Sequence, residues 1–175
     1  MAFRFEIADF GAFYERTYDL AYRTALGIVR DPALAADVTQ EAYVAAYRHR
    51  DRFRGEAPSG AWLHRIVVNQ ALGALRRHRA TSRGSDLSAW MVPDDARGTI
   101  ARLSLFQALD ALPARHRAAV ILRYYHDYDY ATIAQILNTT STNVGALLSR
   151  ALDRLKVALE PEHGAAARTG RSHED

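Results

Sequence analysis

The chain has 175 residues, a hydrophobic fraction of 49% and a formal charge of +3, which is enough apolar material for one ordinary domain or two small ones. It contains no cysteine, so disulfides, thiolate zinc sites and thiol redox switches within it are excluded. No apolar run approaches the roughly 18 to 20 residues of a membrane span, and charged residues stand where a signal peptide is apolar. We therefore expect a cytoplasmic protein with no membrane partner.

The basic residues are almost all arginine, since Lys156 is the only lysine. Arginine suits planar, bidentate contact with phosphates and base edges, although a GC-rich codon bias also produces abundant arginine and alanine. The local distribution is more informative, because residues 44–79 contain eight arginines against two acidic residues. Such a stretch is typical of a surface that binds the phosphates of nucleic acid.

Three amphipathic helices are predicted in the first half of the chain. Apolar residues at helical spacing predict the first over residues 9–30, with Asp9 as its cap. Asp31 and Pro32 supply a capping residue and a first-turn proline, so the second helix is expected over residues 32–48. A break containing glycine and proline separates it from the third helix, which ends in an arginine cluster. Three such helices form one small bundle.

Two segments lack helical periodicity. Residues 81–99 are rich in polar residues, glycine and proline, which predicts a flexible linker between domains. Within it Trp90, Met91 and Val92 form an apolar island that either tucks against a neighbouring helix, the interpretation we favour, or docks on a partner. Residues 161–175 have no apolar face and are predicted to be a disordered tail.

The second half of the chain predicts a further set of helices. The first begins near Ile100 and is stopped by Pro113. A second helix is expected over residues 114–125, and a short third one over residues 130–137. A final helix then carries apolar residues inward, which completes a second small helical domain.

The last two of these helices have helix-turn-helix spacing. Ala134 is small enough for close crossing, Asn138 tolerates the left-handed conformation of a tight turn, and Val144 anchors the second helix. Ser141 or Thr142 is expected to cap it. Its exposed face would present small polar groups to base edges in a major groove, and a helical hairpin without DNA contact is the alternative. The residues of this face are Thr142, Asn143, Ala146, Ser149 and Arg150.

Several motifs together resemble one protein family. The motifs of the first half are DVTQEAY (residues 37–43), AWLHRIVVN (61–69) and LRR (75–77). Those of the second half are ALDALP (108–113), YATIAQIL (130–137) and SRALDRL (149–155). The first set resembles the promoter-melting domain of bacterial sigma factors of the extracytoplasmic-function (ECF) group of the sigma-70 family. The second set is similar to that group's second DNA-binding domain, in the same order and with a similar gap.

This resemblance implies an all-α fold of two small helical domains joined by a flexible linker. The expected parts are a region 2-like domain (residues 1–80), the linker (81–99), a region 4-like helix-turn-helix domain (100–160) and the tail (161–175). The implied function is that of an alternative sigma factor, which binds core RNA polymerase, directs it to promoters and helps melt the DNA. The expected partners are promoter DNA and the largest-subunit coiled coil and flap of the polymerase. An anti-sigma factor is a further partner of the kind this family uses, although nothing in the sequence identifies one.

The resemblance also assigns site residues. Asp37, Gln40 and Glu41 are spaced to share one polar, acidic helix face, which in the family meets the polymerase coiled coil. The third helix and the loop before it are expected to hold the minus-ten element in a basic groove. Asn69 is the best single candidate for a base contact because an amide both donates and accepts, whereas Trp62 is equally suited to the core and to stacking on a base. The minus-ten set is Arg52, Arg54, Arg65, Asn69, Arg76, Arg77 and Arg79.

By the same resemblance, the exposed face of the last helix is expected to contact the minus-thirty-five element. Gly145, Ala146 and Leu147 depart from the lysine, longer polar residue and arginine that the family often carries there. Glycine in a helix interior costs roughly 0.5 to 1 kcal/mol relative to alanine. Either the helix approaches DNA closely at Gly145, or the contact is weak and Arg150, Arg154 and the partner polymerase compensate.

An ordinary helix-turn-helix repressor or activator is the alternative function. Such a regulator needs neither the acidic face nor a separate basic bundle, and it normally dimerises on a palindrome. An enzyme is disfavoured because the seven histidines are scattered and no phosphate-cradling glycine loop is present. We therefore expect no catalytic residue, metal, cofactor or small-molecule substrate.

Overall fold

The computed structural model describes residues 9–53, 59–81 and 108–159, and it gives only the backbone of residues 52 and 79–81. Within these ranges the chain is helical and has no strand. The helices are α1 (Phe10–Val29), α2 (Pro32–His49), α3 (Ser59–Thr81), α4 (Ala114–Val120, continued by a π turn over Ile121–Tyr125), α5 (Tyr130–Leu137) and α6 (Ser141–Leu159). A 3-10 turn, Arg50–Arg52, follows α2. The apolar island, the tail and most of the predicted linker lie outside the described residues.

Local sequence signals set most of the helix ends. The Asp9 carboxylate accepts a hydrogen bond from the Ala12 N–H at 3.1 Å, and Asp31 caps α2 by accepting from the Leu34 N–H at 2.8 Å. At the turn between α5 and α6, Asn138 has a φ of 49°, which is the left-handed conformation expected there. The helices predicted over residues 9–30, 32–48, 114–125 and 130–137 are therefore confirmed to within a residue or two.

The cap of α6 differs from the expectation of Ser141 or Thr142. Ser141 is already the first helical residue, and the Thr140 hydroxyl accepts the hydrogen bond from the Asn143 N–H at 3.2 Å. A capping side chain must stand just before the first helical residue and reach an N–H three positions ahead. Thr140 meets both conditions, so the expectation was wrong by one residue.

Helices α1, α2 and α3 pack around a shared apolar centre, which we call the first bundle. The buried side chains include Phe13 and Ile28 from α1, Val38 from α2, and Leu63 and Val67 from α3. Each of the three helices contacts the other two. The three-helix bundle predicted from the hydrophobic pattern is therefore present.

Helices α4, α5 and α6 form a second bundle around the helix-turn-helix. Leu122, Ile133 and Ile136 are almost fully buried and pack with Val144 and Leu148 of α6. A smaller apolar group joins residues 108–112 to the other end of α6. The recognition helix is thus held along its whole inner face.

The two bundles pack directly on each other, with α3 against α5 and α1 against α4. Their buried residues form one continuous apolar cluster. Gly27 of α1 lies so close to α4 that a β-carbon there would stand 2.7 Å from Ile121 Cδ1. Arg30, buried at the end of α1, donates from Nε and Nη2 to the Asp110 carboxylate at 2.6 and 3.2 Å. Apolar packing and a bidentate ion pair therefore join the bundles.

Candidate functional site

The predicted acidic face lies on the outside of α2. Asp37, Gln40 and Glu41 are exposed and line one surface groove of about 530 Å³. The opposite side of the helix carries Val38 and Thr39 into the core. The structure therefore brings the three residues together on a surface that a partner can reach.

The same groove contains residues that the sequence analysis did not assign. Val44, Ala45 and Arg48 continue the stripe along α2 at positions i+7, i+8 and i+11 from Asp37, and His49 and Gln70 complete the lining. The helical period could have predicted these residues, because positions seven, eight and eleven residues apart share one helix face. The candidate docking surface is thus longer than the acidic motif and mixes both charges with an apolar residue.

An aromatic groove of about 490 Å³ adjoins the acidic one and shares Gln40, Val44 and Arg48 with it. Tyr14 and Tyr47 are 41% and 51% exposed. The remaining aromatic lining is Phe10, Tyr18 and Tyr43. Burial raises the pKa of Tyr43 to about 12, so this phenol stays neutral at physiological pH. The outer surface of α1 and α2 therefore combines acidic residues with partly exposed aromatic rings.

The minus-ten candidates divide into separate groups in the structure. Arg65, Asn69 and Arg76 are exposed and lie within about 40° of one another around α3, given 100° per residue. Arg77 points towards α2, where its Nη2 atom is 3.7 Å from Glu41 Oε2. The side chains of Arg52 and Arg79 are not described, and Arg54 lies outside the described residues. The structure thus places three of the seven candidates on one basic stripe.

By sequence, Trp62 is equally suited to a role in the core and to stacking on a base. Its ring is half-buried, packs against the first bundle and lies 5.2 Å from the ring centroid of Phe53. Phe53 is itself buried and closes the end of the 3-10 turn. These contacts favour the core role.

The predicted recognition face points outward from α6. Thr142, Asn143, Ser149 and Arg150 are exposed, and Ala146 is half-buried. The Asn143 amide donates to the Thr139 hydroxyl at 2.7 Å, which fixes its position at the start of the helix. The structure therefore keeps all five candidates on the side of α6 away from the core.

Two of the three departures from the family pattern on α6, Gly145 and Leu147, have different structural settings. Leu147 is 6% exposed and packs in the second bundle, so this position is structural. Gly145 faces Tyr130, and a β-carbon there would lie 3.5 Å from Tyr130 Cε2, which is an ordinary van der Waals distance. Packing within the protein therefore does not require glycine at this position.

Other site types find no support among the described residues. No group of three histidine, aspartate or glutamate side chains there converges as a metal site, and no helix there is long and apolar enough to cross a bilayer.

Two family models match the chain. The Sigma-70 region 2 model matches residues 13–81, and the Sigma-70, region 4 model matches residues 102–155. The chain belongs to the sigma-70 family. The ECF RNA polymerase sigma factor SigM of Mycobacterium tuberculosis is 32% identical over 146 residues, covering 83% of this chain and 74% of that protein. The ECF RNA polymerase sigma factor SigL of the same species is 30% identical over 161 residues, covering 89% and 91%.

The likeness to solved structures extends to the fold. The sigma factor RpoE of Bartonella quintana, solved in complex with the anti-sigma factor NepR, matches with a TM-score of 0.76 and 24% identity over 86% of this chain and 96% of that one. CnrH, solved with the cytosolic domain of CnrY, matches with a TM-score of 0.67. These likenesses agree on the fold. The family models and the relatives identify an ECF sigma factor that directs RNA polymerase to promoters, and the conventional regulator is not favoured.

Proposed function

We propose that this sigma factor docks on core RNA polymerase through the acidic face of α2, holds the melted minus-ten element on α3 and reads the minus-thirty-five element with α6. It acts by binding alone, in the cytoplasm, with no catalytic residue, cofactor or small-molecule substrate. The observation that carries the proposal is the segregation of chemistry among three exposed helix faces of one molecule. One face is acidic, one is basic and one carries small polar groups.

The docking role of α2 is supported by the composition of its two grooves. Asp37 and Glu41 supply negative charge, which steers a basic partner surface and fixes its register. The adjoining rings of Tyr14 and Tyr47 supply the partly exposed aromatic area that protein interfaces favour. The proposed occupant is the coiled coil of the largest polymerase subunit, with the flap contacting the second bundle.

The minus-ten role of α3 is supported by its stripe. Arg65 and Arg76 are placed to contact phosphates on either side of Asn69, whose amide can pair with an unstacked base. Arg52, Arg54, Arg77 and Arg79 remain in the proposal as further basic groups of the same region. Arg77 would exchange its exposed pair with Glu41 for a phosphate at small cost, because exposed ion pairs contribute little.

The minus-thirty-five role of α6 is supported by its exposed face of Thr142, Asn143, Ala146 and Ser149, with Arg150 at its edge. Small polar groups allow close approach to base edges in a major groove. An anti-sigma factor is also proposed as a partner, because RpoE of Bartonella quintana, which has a similar fold, was solved in complex with the anti-sigma factor NepR.

Charge reversal on α2 tests the docking step. The variant Asp37→Arg with Glu41→Arg should weaken binding to core polymerase by about 100-fold or more, since two favourable charges become repulsive. Binding is measured by fluorescence anisotropy of the labelled sigma factor, and helical content by circular dichroism.

The matched control reverses two acids with the same spacing on α1. Glu15 and Asp19 are exposed, and Asp19 makes only a surface ion pair with Arg23 at 2.9 Å. The variant Glu15→Arg with Asp19→Arg should bind core polymerase with affinity near that of the unchanged protein. Equal binding by both variants would reject the docking role of α2.

A further inference from the structure

Two histidines meet where the bundles join. His64 of α3 and His126, which follows the π turn after α4, have ring centroids 3.9 Å apart. His64 is 2% exposed, and His126 is half-buried. Neither residue belongs to the proposed polymerase or DNA surfaces, so their pairing calls for a separate explanation.

Each imidazole is hydrogen-bonded to the opposite bundle. His64 Nδ1 lies 2.8 Å from the Tyr128 hydroxyl of the second bundle. His126 Nε2 lies 2.8 Å from the Thr24 hydroxyl oxygen of the first bundle. The Thr24 hydroxyl donates its one proton to the Leu20 carbonyl at 2.7 Å, so the neutral His126 ring donates from Nε2. Each bundle therefore contributes one histidine that contacts a hydroxyl group of the other bundle.

The surroundings of the pair favour neutral rings. Tyr128 and Tyr125 face His126 at ring-centroid distances of 5.6 and 5.0 Å, and burial raises the pKa of Tyr128 to about 12. On the same loop the charged groups are Arg123, Asp127 and Asp129. Arg123 and Asp127 pair with each other at 3.4 Å, with Asp127 95% exposed, and the exposed Asp129 carboxylate accepts a hydrogen bond from the Thr132 N–H at 2.7 Å. The groups described around the two rings are thus neutral hydroxyls and aromatic faces, with no carboxylate in contact with either ring.

Burial, and then the neighbouring His126, lower the pKa of His64 to about 3. Burial lowers the pKa of His126 to about 4. A proton on either ring would place a positive charge against the other imidazole in a largely buried site, which is costly without a partner.

We propose that His64 and His126 form a proton-sensitive latch that holds the two bundles closed, and that protonation of the pair opens the molecule into the form able to span a promoter. The spanning step rests on the proposed function. The two promoter elements are about 25 base pairs apart, or about 85 Å of duplex, whereas the bundles here share one core. The closed molecule therefore cannot place α3 and α6 on both elements at once.

The direction of the pH effect follows from proton linkage. The closed state has lowered histidine pKa values, and the open state exposes both rings, with pKa values near 6.5. The open state therefore binds more protons. The stabilisation of the closed state by the two histidines is fully present above pH 6.5 and weakens as the pH falls from about 6.5 towards 4. Between pH 7.5 and 5.5 each imidazole shifts the ratio of open to closed molecules about tenfold, and the two together shift it about 100-fold.

The absence of cysteine allows a direct distance measurement on the full chain. Glu15→Cys on α1 and Lys156→Cys on α6 are exposed positions outside the proposed contact surfaces, and they accept a donor and acceptor dye pair. Single-molecule energy transfer should show one short distance at pH 7.5 and an open population about 100-fold larger, relative to the closed one, at pH 5.5. Circular dichroism at both pH values confirms that the helices persist.

The matched control removes the two groups that can be protonated but keeps their hydrogen-bonding positions. The variant His64→Asn with His126→Gln places an amide nitrogen near each hydrogen-bonding position, and it should remain closed at both pH values. Because the readout needs neither polymerase nor DNA, it is independent of whether the proposed function holds. An unchanged distance in the parent chain at pH 5.5, an open parent chain at pH 7.5, or an equal pH response in the control variant would each overturn the latch.

Discussion

The two helices proposed to contact nucleic acid, α3 and α6, have opposite surface chemistry. The stripe on α3 carries Arg65 and Arg76 around Asn69, whereas the exposed face of α6 is made of small neutral groups with Arg150 at its edge. An arginine bound to a phosphate contributes affinity but little sequence information, while short polar side chains permit close approach to base edges. In the proposed function, α3 therefore supplies affinity for an opened strand, and α6 supplies contacts with base edges of the duplex.

The largest expected effect comes from removing the charge on α3. Arg65→Ala with Arg76→Ala should reduce open-complex formation by about 100-fold or more, since each hydrogen bond to a charged group contributes about 1.5 to 3 kcal/mol. Arg150→Ala on α6 should reduce open-complex formation by about tenfold. Permanganate reactivity of the melted promoter, with holoenzyme at fixed salt, measures both.

Arg16→Ala with Arg23→Ala is the charge-matched control for this comparison. Both residues are exposed on α1, away from the stripe, and their loss should leave promoter melting nearly unchanged. If Arg150→Ala reduced promoter melting more than the α3 double variant does, the proposed roles of the two helices would be reversed.

Asn69→Ala is expected to have an intermediate effect. Loss of a paired base contact costs about 1 to 3 kcal/mol, so open-complex formation should fall roughly tenfold while core binding stays within about twofold. The two quantities are compared by promoter melting and by anisotropy with core polymerase. Parallel losses in both would indicate a folding defect instead of a lost base contact.

The smallest effect is expected at Gly145. Because a β-carbon fits beside Tyr130 at 3.5 Å, Gly145→Ala should stabilise the protein by about 0.5 to 1 kcal/mol in urea unfolding. Binding to the minus-thirty-five duplex separates the two explanations for this glycine. Unchanged affinity favours a weak contact, and a loss of tenfold or more favours close approach of the helix to DNA at this position.

Local signals in the sequence were sufficient for the helices and for the direction of their faces. Asp9, Asp31 and Asn138 act on neighbours within four residues, so their effects are visible in the printed sequence. The Thr140 cap was missed because four adjacent hydroxyl residues, 139–142, offered the same chemistry. The basic stripe was predicted in part, and Arg77 was grouped with it because its contact with α2 depends on tertiary packing.

The packing of one bundle on the other was not predictable in the same way. Arg30 and Asp110 are 80 residues apart in sequence, and Thr24 and His126 are 102 apart. No periodic pattern connects such positions, and the histidines looked scattered because their pairing exists only in the folded chain. Contacts of this kind depend on tertiary geometry, which propensity and spacing do not encode.

Run-off transcription shows whether this protein gives core polymerase its promoter specificity. The experiment uses a pool of genomic promoter fragments and purified bacterial core polymerase, in the presence and absence of the protein. We expect discrete transcripts that appear only when the protein is present and that vanish with the Asp37→Arg, Glu41→Arg variant. Tight, sequence-specific DNA binding by the protein alone, with no effect on transcription by core polymerase, would contradict this role.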